Sequence, residues 1–373
     1  ELEDALRDGL RADLLVVSGG LGPTHDDRTV QLLARVTGRE LHVVPALEAE
    51  IEAVSRMVAE RLRRPYADFA PGVTKQATLP EGAVSLGLAG TAPGSVLQAD
   101  GCAVVLLPGP PGELQRLWPR ALETEAVRRV LERATPPVHR VLRLFGVSES
   151  AVAHALAEAG GDGDGVEATI CARDFEIHVD LYIEPGSEER GEELVAALRG
   201  PLARHVYGED EQPIEAVVLE LLRGRELTLG TAESCTGGLV AARLTSVPGS
   251  SDVFRGGVVA YANEVKAAEL GVARELLDEF GAVSAEVAQA MALGARERLG
   301  VEVAVSVTGV AGPDGGTEEK PVGLVYLHAV GPEGELGAEF SLPGDREAIR
   351  RRSAVSALHL VRRLLLRSRH TPV

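Results

Sequence analysis

The sequence predicts an α/β protein of three domains, and three observations carry that prediction. At 373 residues, and taking roughly 150 residues per domain, the chain is long enough for two or three separate cores. Apolar runs that stop at Gly- or Pro-rich turns alternate with stretches of helical spacing, the pattern of strands and covering helices. Aromatic residues make up only 3%, so the cores rest on Leu, Val, Ile and Ala, which suits α/β layers better than aromatic-rich antiparallel barrels. The hydrophobic and charged fractions, 45% and 25%, are ordinary for globular chains and disfavour disordered or fibrous classes.

The elements follow in order. "ELEDALRDGLRADLLVVSGG" reads as the end of a helix running into a strand, and residue 1 is Glu, so the first domain is expected to lack its leading strand. "ADLLVVSGGLGPTHDD", residues 12 to 27, is a continuous apolar run ending in a Gly-rich turn, as in a buried parallel strand. "TVQLLARVTGRE" is helical and stops at Gly38, and "PALEAEIEAVSRMVAERLRR" is a longer helix. "CAVVLLPGPPGELQRLWPRAL" is a strand that breaks at prolines before another helix. A parallel sheet covered on both faces is expected for residues 1–133. "ATPPV" is a joint, and residues 137–207 then read strand, helix, two strands, helix, a small α+β unit. The acidic "YGEDEQP", residues 207 to 213, reads as a second linker, and residues 212–370 return to strand–helix alternation, closing on a long helix from about Asp345.

Charge and cysteine content narrow the function classes. Acidic residues outnumber basic ones 56 to 38, for a formal net charge of −18, a field that opposes sequence-independent binding of nucleic acid. Cys102, Cys171 and Cys235 are widely separated with no C-x-x-C pair, so neither a disulfide framework nor a thiolate zinc site is indicated. The nine histidines show no H-x-x-x-H or H-E-x-x-H spacing, which removes support for a zinc hydrolase. No apolar run approaches the roughly 20 residues needed to span a bilayer, and no signal-peptide pattern leads the chain. A cytoplasmic protein without a membrane partner is expected.

Ligands of open α/β sheets bind beyond the carboxyl ends of the strands, and four such turns carry polar or small residues. In "SGGLGPTHDD", Ser18, Gly19, Gly20, Gly22 and Thr24 let backbone N–H groups approach an anion, while Asp26 and Asp27 are suited to a divalent cation bridging phosphates. A turn with an acidic helix cap explains the same residues equally well. "LPGPPGE" adds Glu113, otherwise part of a proline-fixed turn. In "LGTAESCTGGLVAARL", Ser234 is placed as a nucleophile at a helix start, and Gly237 and Gly238 allow close backbone approach; helix capping by Ser234 or Thr236, and Cys235 as a rival nucleophile, stand beside that reading. Tyr261 and Lys266 leave a strand and enter a helix, where a desolvated lysine serves a serine as base, or where it is a surface lysine. Thr308 and Gly309 end another strand, and Arg346 opens the last helix, suited to a phosphate or to a solvated helix face.

With these motifs in this order, the chain resembles the CinA family of competence/damage-inducible proteins over essentially its whole length. "SGGLGPTHDD", "GTAPG", "LPGPPGE", "AESCTGG", "VVAYANEVKAAELGV", "GAVSAEVAQAMA", "VTGVAGPDGGTEEKPVG" and "PGDREAIR" carry the resemblance. It implies an N-terminal molybdopterin-binding-like α/β domain, a KH-type α+β middle domain and a C-terminal α/β amidase domain. It further implies deamidation of nicotinamide mononucleotide to nicotinate mononucleotide and ammonia, without a cofactor. Carried over by matching motifs, Ser234 is the nucleophile, Lys266 with Tyr261 activates it, Thr308 orients or stabilises the intermediate, Gly237, Gly238 and Gly309 contact substrate, and Arg346 holds its phosphate. For the first domain the resemblance implies an ADP-ribose pyrophosphatase with Asp26, Asp27 and Glu113 on a divalent metal ion, optionally with a monovalent cation. There the chain departs from the family pattern: the opening strand, an acidic "GDELL"-like turn and an Asp-x-Asn element are absent. A non-catalytic nucleotide-binding regulator is the alternative from another class. The middle domain shows no G-x-x-G clamp, "AGGDGDGV" being Gly-rich but acidic, which disfavours an RNA grip. A homodimer is expected.

Overall fold

In the computed structural model, which describes residues 1–367, the polypeptide folds as a first unit, Glu1–Pro136, and a second that begins at Pro137. The expected end of the third domain at residue 370 lies outside the described residues. No helix among the described residues is long and apolar enough to cross a membrane.

The first unit contains α1 (Leu2–Gly9), β1 (Leu14–Ser18), α2 (Thr29–Thr37), β2 (Leu41–Val43), α3 (Pro45–Leu62), α4 (Ala70–Gln76), β3 (Thr78–Pro80), β4 (Val84–Leu88), β5 (Pro93–Ala99), β6 (Cys102–Leu107), α5 (Pro111–Leu122) and α6 (Glu125–Leu131). Its main sheet runs β1-β6-β5-β4. Of its pairings only β1 with β6 is parallel; β5 is antiparallel to both β6 and β4. The expected all-parallel sheet is thus corrected to a mixed one. The cause is local: Asp100 and Gly101, both at positive φ (47° and 91°), make a two-residue turn that returns β5 directly into β6, leaving no chain for a crossover. The apolar run of β6 is nonetheless buried on both faces: Val104 and Leu106 pack with Leu6, Leu32 and Leu33, and Val105 and Leu107 with Leu117 and Val127. The helix over "TVQLLARVT" ends at Gly38 in the left-handed conformation, as its sequence predicts.

The second unit starts with β7 (Val138–Phe145), α7 (Glu149–Glu158), β8 (Val166–Arg173), β9 (Glu176–Ile183), α8 (Glu188–Leu202) and β10 (Val206–Gly208), whose antiparallel sheet runs β10-β7-β9-β8. It continues with α9 (Ile214–Arg223), β11 (Leu229–Glu233), α10 (Leu239–Thr245), β12 (Phe254–Val259), α11 (Asn263–Leu270), α12 (Arg274–Phe280), α13 (Ala285–Leu299), β13 (Val303–Gly309), β14 (Leu324–Gly331), β15 (Gly334–Ser341) and α14 (Arg346–Arg367). The second sheet runs β12-β11-β13-β14-β15. Its first three strands are parallel and its last two antiparallel. On β13, Val303, Val305 and Val307 face the cluster built with α9 and α14, while Ala304 faces Met291 and Ala292 of α13. That period-2 division is what a strand covered on both faces requires.

The expected linker at residues 207 to 213 starts two residues too early: 207 and 208 belong to β10, and 209–213 carry no helix or strand. Val206 and Gly208 pair with β7, and the buried Tyr207 belongs to the core of the second sheet. The two sheets of this unit are therefore packed together. Phe145 stacks on His359 of α14 with ring centroids 3.8 Å apart, Tyr207 meets the same imidazole edge-on, and His359 Nε2 lies 2.7 Å from Glu176 Oε1. Burial alone would raise the Glu176 carboxyl, but hydrogen bonds from His178 and His359 bring it down to about 2. Every residue of α14 from Ser353 to Val361 is buried, because helix, sheet and middle domain enclose it from all sides.

Candidate active site

The parallel strands bring their carboxyl ends level. Glu233 at the end of β11 pairs with Val259 of β12 on one side and Val307 of β13 on the other. The chain leaves β11 toward β12, with β13 on its other flank, so the crevice beyond Glu233 is the switch point where such sheets bind ligands. Ser234 opens into it, its N–H held by the Val307 carbonyl at 2.9 Å. Lys266 reaches it from the first turns of α11, since helical side chains lean toward the N-terminus and a lysine there doubles back under the strand end.

Lys266 is 1% exposed and Ser234 8%. Lys266 Nζ lies 3.1 Å from Ser234 Oγ, 2.9 Å from the Ala260 carbonyl and 3.2 Å from the Tyr261 carbonyl. Burial pulls the lysine below its ordinary pKa, partly opposed by Cys235 and Glu264. The amine donates to all three oxygens when charged; in its neutral form it keeps two N–H donors for the two carbonyls and one lone pair for the serine hydroxyl, an arrangement that can serve as a base.

Helix capping in this turn is done neither by Ser234 nor by Thr236. The Glu233 carboxylate, itself buried, curls forward and accepts the N–H groups of Gly238 (2.9 Å), Val240 (3.0 Å) and Ala241 (2.9 Å). The Gly237 N–H goes to the Ser234 carbonyl. Gly237 and Gly238, at φ of 60° and 97°, shape the loop in a region closed to most other residues, and their donors are already committed. Among the described residues, the N–H groups of Cys235 and Thr236 have no acceptor. Arg350, one helical turn past Arg346, donates to the carbonyls of Cys235 (3.2 Å) and Thr236 (2.8 Å) and sets the orientation of these peptides.

Burial pushes the Cys235 thiol up to about 12, and a thiol so raised is held in its protonated, less nucleophilic form. Tyr261 is 59% exposed, and its hydroxyl accepts from Arg346 Nη2 at 2.9 Å, while Arg346 Nη1 donates to the Gly312 carbonyl at 2.7 Å. Tyrosine and arginine thus form one polar edge, and of these three side chains it is the lysine that hydrogen-bonds to Ser234 among the described residues. Thr308 is buried and donates to the Ala282 carbonyl at 2.6 Å. A Cβ on Gly309 would meet the Leu324 carbonyl oxygen at 2.7 Å, so this glycine answers to the close pairing of β13 with β14. Sequence reasoning missed Glu233 and Arg350. The "REAIR" spacing, two arginines four apart on one helix face, was the available signal for the second.

In the first unit, Ser18 ends β1 and Gly19 and Gly20 take positive φ (92° and 68°). The Gly19 N–H is held by Leu107, and the Gly20 carbonyl accepts from Thr29 at the start of α2. Gly20, Gly22 and Asp27 line a cavity of about 150 Å³ together with Lys75 and Gln76, neither of which the sequence singled out. The Thr24 hydroxyl sits between Asp26 (2.5 Å) and Asp27 (2.6 Å), and Asp27 also takes the Thr24 N–H. Glu113 lies against Gly90 instead. Among the described residues no group of three or more His, Cys, Asp or Glu side chains is placed to hold a metal ion.

Comparison with known proteins accords with this division. Residues 1–129 match the probable molybdopterin binding domain, residues 139–208 the KH domain of damage-inducible protein CinA, and residues 211–365 the CinA C-terminal domain. A CinA-like protein of Mycolicibacterium paratuberculosis is 46% identical over 373 residues, covering 95% of this chain and 84% of the relative. One of Mycobacterium tuberculosis is 44% identical over 361 residues, covering 95% and 83%. The competence/damage inducible protein CihA of Agrobacterium tumefaciens, a crystal structure, is 42% identical over 40% of this chain and 93% of its own, with a TM-score of 0.40.

Proposed function

The chain belongs to the CinA family, and from that premise we propose that its C-terminal domain is a serine amidohydrolase that converts nicotinamide mononucleotide to nicotinate mononucleotide and ammonia. The observation that carries the reading is the buried Ser234–Lys266 contact at 3.1 Å, in which the amine is desolvated and its two other polar contacts are carbonyls.

Lys266 takes the Ser234 hydroxyl proton as Oγ attacks the carboxamide carbon. The oxyanion that forms is received by the N–H groups of Cys235 and Thr236, rather than by those of Gly237 and Gly238, which Glu233 and Ser234 already hold. Removing one such donor costs about 3 to 4 kcal/mol of barrier in comparable sites. Lys266 returns the proton to the departing nitrogen, the C–N bond breaks, and ammonia leaves a nicotinyl ester on Ser234. Water then adds to the ester, giving its proton to Lys266, and Ser234 departs with that proton restored. Arg346 and Tyr261 at the polar edge provide cationic and hydroxyl contacts for the 5′-phosphate.

The test is ammonia release from nicotinamide mononucleotide, joined to mass spectrometry of acid-quenched enzyme. Turnover with an ester adduct on the Ser234 peptide is expected. Turnover by Ser234→Ala protein at the wild-type rate would refute the mechanism.

A further inference from the structure

The contact between the two sheets of the second unit leaves a cavity of about 440 Å³, lined among others by Arg204, His205, Phe340, His359, Arg362 and Arg363. Its chemistry is at odds with the rest of the chain. The protein carries 56 acidic residues against 38 basic ones, yet three guanidinium groups meet here. No Asp or Glu forms a salt bridge with Arg204, Arg362 or Arg363 among the described residues.

Arg204, which is exposed, and the partly buried Arg362 are held by neutral groups. Arg204 Nε donates to His205 Nε2 at 3.0 Å, and His205 Nδ1 lies 3.0 Å from the Phe145 carbonyl. That carbonyl requires the proton on Nδ1, so the ring is the neutral tautomer and leaves the arginine charge uncompensated. Arg362 Nη2 donates to the Val206 carbonyl at 3.2 Å, and its guanidinium stands 5.9 Å from the Tyr207 ring centroid. Burial lowers its pKa with no anion beside it. Arg363 is exposed. His359 is 1% exposed, spends Nε2 on Glu176, and its buried Nδ1 has no partner. A partly buried guanidinium, that of Arg362, and an orphaned ring nitrogen are costly unless an anion or hydrogen-bonding ligand completes them.

We propose that this cavity binds a small phosphate-bearing anion of nucleotide size, with Arg204, Arg362 and Arg363 as its phosphate contacts. Guanidinium forks match phosphate oxygens, and the volume lies within the range of small-molecule sites. Arg346 and Arg362 are 16 residues apart on α14, about 24 Å along a helix, so this site is separate from that of Ser234. The inference stands whether or not the amidase reading does.

Isothermal titration of the full chain carrying Arg346→Gln, which silences the arginine at the Ser234 site, tests it with AMP, inorganic diphosphate and adenosine. AMP and diphosphate are expected to bind, and adenosine to fail. Adding Arg363→Gln or Arg204→Gln is expected to weaken binding about tenfold or more, with thermal unfolding unchanged. Exposed Arg363 is the deciding position, since Arg362→Gln also disturbs the contact between the sheets. Tighter binding of AMP than of diphosphate identifies a nucleotide as the ligand, and the reverse order a free phosphate compound; both support the site. No binding of either at millimolar concentration, or binding indifferent to Arg204→Gln and Arg363→Gln, overturns it. A single-stranded oligonucleotide that binds more tightly than AMP through Arg363 would overturn the small-molecule assignment.

Discussion

Two strand-to-helix turns of this protein, "SGGLGPTHDD" and "GTAESCTGG", have much the same composition and opposite internal arrangements. Both follow a strand with a parallel neighbour, both use paired glycines at positive φ, and both carry a hydroxyl and a carboxylate. In the first, Thr24 and the two aspartates satisfy one another at the surface, and the Thr24 hydrogen bond holds the Asp26 carboxyl below the usual range. In the second, the carboxylate is buried and spent on the helix N-terminus. The hydroxyl is left facing a desolvated amine. Composition marks a turn as a candidate, and what satisfies its polar groups decides whether anything reactive remains.

The contrast is sharpest in catalysis. Lys266→Met is expected to lower the rate of ammonia release by about 10² to 10⁴, while Asp26→Asn and Asp27→Asn leave it at the wild-type level; equal losses in the two turns would erase the distinction. Wild-type kcat/KM should rise with pH as Lys266 loses its proton. Because burial lowers that pKa, the midpoint should fall below the ordinary lysine value of about 10.4. The same displacement means that the unfolded chain binds this proton more tightly, so stability gains with pH between the two values.

Stability offers the next contrast. Glu233→Ala strands three N–H groups at the start of α10 and is expected to cost about 3 kcal/mol or more by chemical denaturation. Thr24→Ala, at the surface, should stay within about 1 kcal/mol.

Acid sensitivity should belong to the second unit. Glu176 titrates lower folded than unfolded, to about 2, so its contribution is present above the unfolded carboxylate value and lost as pH falls toward about 2. Burial likewise lowers the His359 pKa, so the unfolded state gains a proton first as pH drops through the ordinary histidine range. Both groups weaken the fold in acid, and Glu176→Gln should flatten the dependence of Tm on pH below the unfolded carboxylate value. The smallest effect is expected from Cys235→Ala, whose activity should remain within about threefold of wild type, since its thiol stays protonated at any ordinary pH.

Much of the architecture was legible because it is local. The strand–helix–strand–strand–helix order of the middle domain, the helix stop at Gly38 and the strand ends, one read a residue early at Ala232 and the other at Gly309, are written in periodicity and turn chemistry. The Asp100-Gly101 hairpin signal was equally local and went unread, at the cost of the wrong sheet type. The orphan state of the Cys235 and Thr236 donors, the reach of Arg350 across 115 residues to the Cys235 carbonyl and the packing of Tyr207 under α14 have no local signature.

By itself, the sequence determined where strands end and which reactive residue types stand there, since backbone preference and hydrophobic period act over a few residues. Only the tertiary structure decided that Lys266 is buried on Ser234, that Glu233 takes the helix donors, that Tyr261 pairs with Arg346, and that Thr24 takes up Asp26 and Asp27. Those outcomes depend on desolvation and on competition among distant polar groups for partners.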